Sequence, residues 1–304
     1  MAATSSTPAP SKALVFARRF GSTLFLWGLV GAAFGSMRVW AYLGLFALLT
    51  VVATVEYFRM LRQAGVRCFS RFGTVAAAVY CGVLHAGWAG GAPEGWDLFA
   101  VAVVLCGAFV LQLREEIRGL ETLMGVAVTL CGFVYISVLF NFAEKLLFLL
   151  PEWRGGSGLI ATPAAFLLLW LLAVTKFADM GAYITGSLIG RHKMIPHVSP
   201  GKTWEGFGGA LAFSLLAGAG LFALFPESLA VLGGWGHVVV LSLLLSVLAV
   251  VGDLAESVIK RSLGAKDSGA LLPGIGGALD LIDSICFTAP ALYFYLQWVL
   301  LPAA

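Results

Sequence analysis

Apolar runs of about 20 residues follow one another along nearly the whole of this 304-residue chain, and that is the length a helix needs to cross the hydrocarbon core of a bilayer. Composition agrees with the pattern. Hydrophobic residues make up 60% of the chain and charged residues 12%, the latter about half the share of a soluble domain, and the mean hydropathy is +0.94. Disorder, nucleic-acid binding and a secreted disulfide scaffold are excluded. The net charge of +3 is too small to define a partner, so its distribution carries the information.

Breaks at charged or turn-rich positions divide the chain into about nine spans, near 20–37, 39–58, 73–91, 96–113, 121–140, 158–176, 205–225, 235–256 and 283–302. Alternate loops should then hold the lysines and arginines, and all but Arg38, Lys145 and Arg154 of the 19 fall on one side. An odd number of spans places the amino terminus in the cytoplasm and the carboxyl terminus outside. Residues 1–11 are polar and Pro-rich, the start of a loose cytoplasmic tail over 1–19. Lys12, Arg18 and Arg19 before an apolar run, with Gly31-Ala32-Ala33 after it, imitate a signal peptide. A retained first span is the preferred reading, because apolar segments continue to the end. Residues 20–171 read as transmembrane scaffold and 172–304 as the catalytic transmembrane region. Cys68, Cys81, Cys106, Cys131 and Cys286 show no metal-ligand spacing and read as core thiols. Gly125, Gly132, Gly218 and Gly220 read as helix-packing residues.

Two cytoplasmic segments, about 176–205 and 253–283, are unlike connectors, being crowded with Gly, Pro and ionisable groups. On a helix, Asp253, Glu256, Ser257, Lys260 and Arg261 are three or four positions apart and share one face. Ionisable groups at the edge of a span are costly unless they face a cavity, an ion or a partner. Lys266-Asp267-Ser268-Gly269 follows, then Pro273-Gly274-Ile275-Gly276-Gly277, then Asp280 and Asp283. Glycines let backbone N–H groups approach a phosphate, and a following helix start adds its positive end. Asp280 and Asp283 share a face in the first turn of the last span and, with Asp253, suit a hard cation such as Mg²⁺. The other segment offers Lys176, Asp179, Gly181 and Tyr183, then Arg191-His192-Lys193, then Ser199-Pro200-Gly201-Lys202-Thr203-Trp204-Glu205 as a loop feeding a helix start. Cations, hydroxyls and glycines so close together suit a nucleoside triphosphate. His192 and His197 lie on the same side as further phosphate contacts, while His85 and His237 lie on the outer side.

These two segments resemble the phosphatidate cytidylyltransferase (CDP-diacylglycerol synthase) family. Ser257, Lys260, Arg261, Lys266, Asp267 and Gly269 match its S-x-x-K-R-x-x-x-x-K-D-x-G element. Pro273, Gly274, Gly276, Gly277, Asp280 and Asp283 match the P-G-H-G-G and D-R-x-D elements that follow, with Ile275 and Leu281 at the usual His and Arg. Asp179, Gly181, Ala182 and Tyr183 match D-x-G-A-Y, and Ser199, Pro200, Lys202, Thr203, Glu205 and Gly206 match S-P-x-K-T-x-E-G. The motifs cover roughly the last 130 residues; before Leu171 the likeness is one of hydropathy.

The resemblance implies an all-α, polytopic enzyme of the cell's inner (plasma) membrane with a cytoplasm-facing polar cavity. The phosphate of phosphatidic acid would attack the α-phosphorus of CTP, giving CDP-diacylglycerol and diphosphate. Two anions must meet, so charge neutralisation and alignment matter more than general-base chemistry. It implies Asp253, Asp280 and Asp283 as holders of Mg²⁺, with a second Mg²⁺ or K⁺ beside it. Lys202, Lys260, Arg261 and Lys266 become phosphate donors, and Ser199, Thr203 and Ser257 hydroxyl contacts. Asp267 joins the catalytic set; Asp179, Tyr183, Glu205, Gly274, Gly276 and Gly277 frame the substrates. A homodimer stays open, and nucleic acid is not a partner. Ile275 and Leu281 leave a second reading, the same transfer to another lipid phosphate such as an isoprenoid-ether glycerol phosphate. An ion or solute transporter is disfavoured, since the acidic residues cluster at helix ends beside phosphate-type loops and no duplicated halves are visible.

Overall fold

A computed structural model describes residues 28–86, 95–149, 159–265, 268–269 and 276–301. Lys266, Asp267 and Gly274, together with Ile275 and the amino-terminal tail, lie outside the described residues. After a short helical stretch at 28–36 come α1 (Val39–Gln63), α2 (Ser70–Ala86), α3 (Trp96–Gln112) and α4 (Leu120–Phe148, which passes through a π turn at Phe133–Val138). There follow α5 (Thr162–Ile189), the strands β1 (Lys193–Ile195) and β2 (Ser199–Thr203), α6 (Trp204–Leu224), α7 (Trp235–Ser262) and α8 (Ala278–Tyr295, extended by a π turn to Leu300). The described residues are therefore mainly helical, with an antiparallel hairpin in which Lys193 pairs with Thr203 and Ile195 with Ser199.

Six of these helices, α1, α4, α5, α6, α7 and α8, are long and apolar enough to cross a membrane; α2 and α3 have 17 residues each. The chain is a multi-pass membrane protein. Leu98, Leu113, Ile117, Leu120, Leu188 and Leu216 are among the many large apolar side chains left exposed, more than a water-soluble surface carries in contiguous patches. Cys81 and Cys286 are buried thiols, but Cys106 and Cys131 are exposed on α3 and α4 and are not core thiols as expected.

Between helices in a bilayer the hydrophobic effect is weak, and close packing at small residues takes over. A side chain at Gly181 of α5 would strike the Gly209 carbonyl and Phe213 of α6, and one at Gly209 would strike Thr185. Gly218 faces Ser242, where Ser214 Oγ also donates to the Ser242 carbonyl at 2.9 Å. Gly125 and Gly132 are likewise closely approached, by the Arg67 carbonyl and the Tyr57 ring, whereas among the described residues nothing lies within 4 Å of a Cβ placed at Gly220. The contact at Gly252 matters most for function: a Cβ there would meet the backbone of Asp283 and Ser284, so α7 and α8 touch at the level of their carboxylates.

Three expectations are corrected. The helix does not end near 176 as expected: with no breaker before Gly190, α5 continues from the span through Ile189, which puts Lys176, Asp179 and Tyr183 on a single helix. For the same reason the division at 171/172 falls inside one continuous helix. The stretch before Glu205 is not simply a loop, since Ser199–Thr203 forms a strand of the hairpin.

Candidate active site

Four helix ends and the hairpin converge on one side of the bundle. Gly190 ends α5, the hairpin reverses the chain, and Thr203 caps α6, its hydroxyl accepting from Gly206 N at 3.1 Å. Glu205 locks this junction. Its carboxylate accepts from Arg191 N at 3.1 Å and His192 N at 3.2 Å, and pairs with His192 Nδ1 at 2.6 Å. Glu205 and His192 are thus partners of each other at this junction.

Asp179, Tyr183, Ser199, Lys202, Thr203 and Asp253 line a common cleft of about 340 Å³ between α5, β2, α6 and α7. Lys202 reaches from the strand to α7, where it pairs with Asp253 at 2.9 Å and donates to the Val250 carbonyl at 3.0 Å. Lys176 pairs with Asp179 at 3.2 Å, and Ser284 Oγ donates to the same carboxylate at 3.3 Å. That bond ties α8 to α5.

A second cluster adjoins the cleft through α7. Lys260 is held between Glu256 at 2.5 Å, one turn earlier, and Asp280 at 2.8 Å on α8. Asp280 also accepts from Gly277 N at 2.6 Å, folding back over the helix start. Gly276 has φ +117°, a backbone conformation that favours glycine, and a side chain there would strike the Asp280 carboxylate. Asp283 is buried at 5% exposure, and its Oδ1 accepts from Ser284 N.

Carboxylate oxygens of Asp253, Glu256 and Asp283 lie within 4.8 Å of one another. Glu256 is 1% exposed and its Oε1 has no hydrogen-bond partner among the described residues. A buried oxygen left without a donor is expensive, and three hard oxygen ligands converging on one point suit Mg²⁺ or a similar ion. The charge balance agrees. Among the described residues of the combined cluster, the three amino groups of Lys176, Lys202 and Lys260 face the five carboxyl groups of Asp179, Asp253, Glu256, Asp280 and Asp283, two more acidic groups than basic ones.

The trio differs from the set expected from sequence. Glu256 takes the place of Asp280, both of whose oxygens are engaged by Lys260 and Gly277 N. The signal for Glu256 was present, because it belongs to the polar stripe on α7, but spacing alone did not separate it from the other members. Arg261 is turned away, its Nε donating to the Val198 carbonyl in the hairpin turn at 3.4 Å. Ser257 stands half-buried on α7, and Leu281 packs partly against the core.

Known proteins resemble this chain along most of its length. The sequence model of the cytidylyltransferase family matches residues 17–299. A phosphatidate cytidylyltransferase of Brucella suis is 33% identical over 240 residues, covering 68% of this chain and 86% of the relative. One of Mycobacterium bovis is 32% identical over 271 residues, 85% of this chain and 80% of the relative. One of Staphylococcus saprophyticus is 38% identical over 196 residues, 64% of this chain and 66% of the relative.

Proposed function

This chain belongs to the cytidylyltransferase family, and from that membership and the geometry above we infer that it makes CDP-diacylglycerol and diphosphate from CTP and phosphatidate. The observation that carries the reading is the cluster itself: three lysines, a metal-compatible trio and a helix start drawn together at one end of α5, α7 and α8. Nothing in the reaction needs a strong base. A phosphate monoester has its second pKa near ~6 and is largely dianionic at neutral pH, so the obstacle is bringing two anions together.

The residues divide that work. Asp253, Glu256 and Asp283 would hold a divalent ion, which would supply charge neutralisation on the nucleotide phosphates. Lys202, on the wall of the cleft, donates to the triphosphate, and Lys260, fixed between Glu256 and Asp280, donates at the junction of cleft and helix start. Ser199 and Thr203 border the nucleotide and Tyr183 the cleft mouth, while Asp179 keeps Lys176 directed at the acidic cluster. Lys266, Asp267 and Gly274, with Ser257 on α7, supply further phosphate contacts, while Arg261 joins α7 to the hairpin turn; Gly276 and Gly277 allow the backbone to approach a phosphate. Asp280 orients Lys260 and the start of α8. Held in line by these groups, the lipid phosphate oxygen attacks the α-phosphorus and diphosphate leaves with its electron pair, with no proton transfer required at the attacking atom.

All nine apolar segments cross the membrane, the first, read near 20–37, and the two 17-residue helices included, with the amino terminus and the cluster facing the cytoplasm of the inner membrane. A cysteine introduced for Ser228, between α6 and α7, is then modified by an impermeant maleimide in intact cells. A cysteine for Ser262, exposed at the end of α7, reacts only after permeabilisation; the reverse pattern overturns the orientation.

The function is tested by diphosphate release from CTP in detergent. Turnover is expected only when the protein, phosphatidate and Mg²⁺ are all present. Protein that binds CTP with Mg²⁺ and turns over an isoprenoid-ether glycerol phosphate but not phosphatidate would move the reading to that lipid, and no CTP binding would sink it.

A further inference from the structure

Glu56 belongs to α1, in the half of the chain that reads as scaffold, yet its carboxylate is wholly buried and reaches the site. Gly277 occupies the cap position before α8 and has no side-chain oxygen to accept from the second or third amide of the helix, as a serine or aspartate in that position would. The acceptor comes from 223 positions upstream: Leu279 N donates to Glu56 Oε2 at 3.1 Å. Glu56 Oε1 has no hydrogen-bond partner among the described residues, and neither has the Ser268 hydroxyl, itself 3% exposed. Both oxygens lie against motif glycines. A side chain at Gly269 would strike Glu56 Oε1, and one at Gly277 would strike Glu56 Oε2 and Ser268 Oγ. A carboxylate buried this far, with one oxygen unsatisfied, is not retained for stability, since an apolar side chain would fill the space without the desolvation penalty.

We infer that Glu56 is a positioning residue of the transfer reaction: its carboxylate supplies the missing cap of α8 and seats Ser268 and Gly269 against that helix start, so that Asp280 and Asp283 meet Lys260 and Asp253. The inference rests on the transfer reaction set out above. Glu56 touches no reacting atom. It works through the helix that carries two of the site's carboxylates, as outer residues that orient metal ligands do.

The test uses the full chain in detergent. E56Q removes the charge that faces the Leu279 amide while keeping the shape, and it is expected to lower kcat by about tenfold or more and to raise the Mg²⁺ concentration needed for half-maximal rate. The KM for phosphatidate and the melting temperature stay close to the parent's. L61A, a core truncation on the same helix at a residue 3% exposed, lowers the melting temperature and leaves the Mg²⁺ dependence alone. The inference is overturned if E56Q keeps the parent's kcat and Mg²⁺ dependence, or if its changes match those of L61A. Should E56Q fail to accumulate, E56D, which keeps the charge on a shorter arm, is read by the same criteria. A parent that does not turn over CTP and phosphatidate defeats the transfer reading itself; Glu56 is then judged by amide hydrogen exchange over residues 276–284. Faster exchange in E56Q supports the cap, and unchanged exchange removes it.

Discussion

Asp280→Asn is expected to lower diphosphate release by about a hundredfold or more while the protein inserts and purifies as the parent does. One carboxylate performs two tasks, holding Lys260 at 2.8 Å through Oδ1 and accepting from Gly277 N at 2.6 Å through Oδ2. Asparagine keeps an oxygen for one of them and presents an amide to the other. Offered an amide, Lys260 swings toward Glu256 alone, and the phosphate donor leaves its position; a displacement of about 1 Å at a reacting group is worth roughly 10²-fold in rate. The measurement is kcat for diphosphate release beside the melting temperature in detergent. Turnover within a few-fold of the parent would show that the Lys260 pair does not set the geometry of transfer.

Asp253→Asn should be the more severe change. Asp253 is at once a member of the acidic trio and the partner of Lys202 at 2.9 Å. Its loss weakens the divalent site and releases the lysine on the cleft wall. Charge stabilisation by a bound ion amounts to several kcal/mol, and each 1.36 kcal/mol is tenfold in rate, so a fall of about a thousandfold is expected. The remaining activity should require far more Mg²⁺. A variant with low kcat but the parent's Mg²⁺ dependence would take Asp253 out of the metal set and leave it only as the partner of Lys202. The two variants also report differently: Asp280→Asn should leave the Mg²⁺ requirement nearer the parent's, because Asp280 stands outside the trio.

Much of this could be read without coordinates. Hydropathy located the helices, because a bilayer imposes a single length and polarity on anything that crosses it. The stripe Asp253, Glu256, Ser257, Lys260 and Arg261 could be placed on one face of one helix, because helical spacing is local. The cleft residues Asp179, Ser199, Lys202 and Thr203 were singled out by type and spacing, and the fold brings them together. What failed was also local. The end of α5 was placed some thirteen residues early, since hydropathy falls at Lys176 while the backbone finds no breaker until Gly190.

The sequence by itself determined the class of the protein, the run of membrane helices and the two segments that hold the ionisable groups, since each depends on neighbours within a few turns. Only the tertiary structure decided the partners inside the site. The approach of α7 to α8 at Gly252 selects Glu256 beside Asp253 and Asp283 and leaves Asp280 to Lys260. The fold also turns Arg261 and Glu205 to the hairpin and brings Glu56 from a distant helix to the start of α8. The reason is physical: a carboxylate looks the same in sequence whether its oxygens meet an ammonium group, a backbone amide or an ion. Which of these it meets is set by how closely two backbones approach, and that depends on glycines facing each other across helices far apart in the chain.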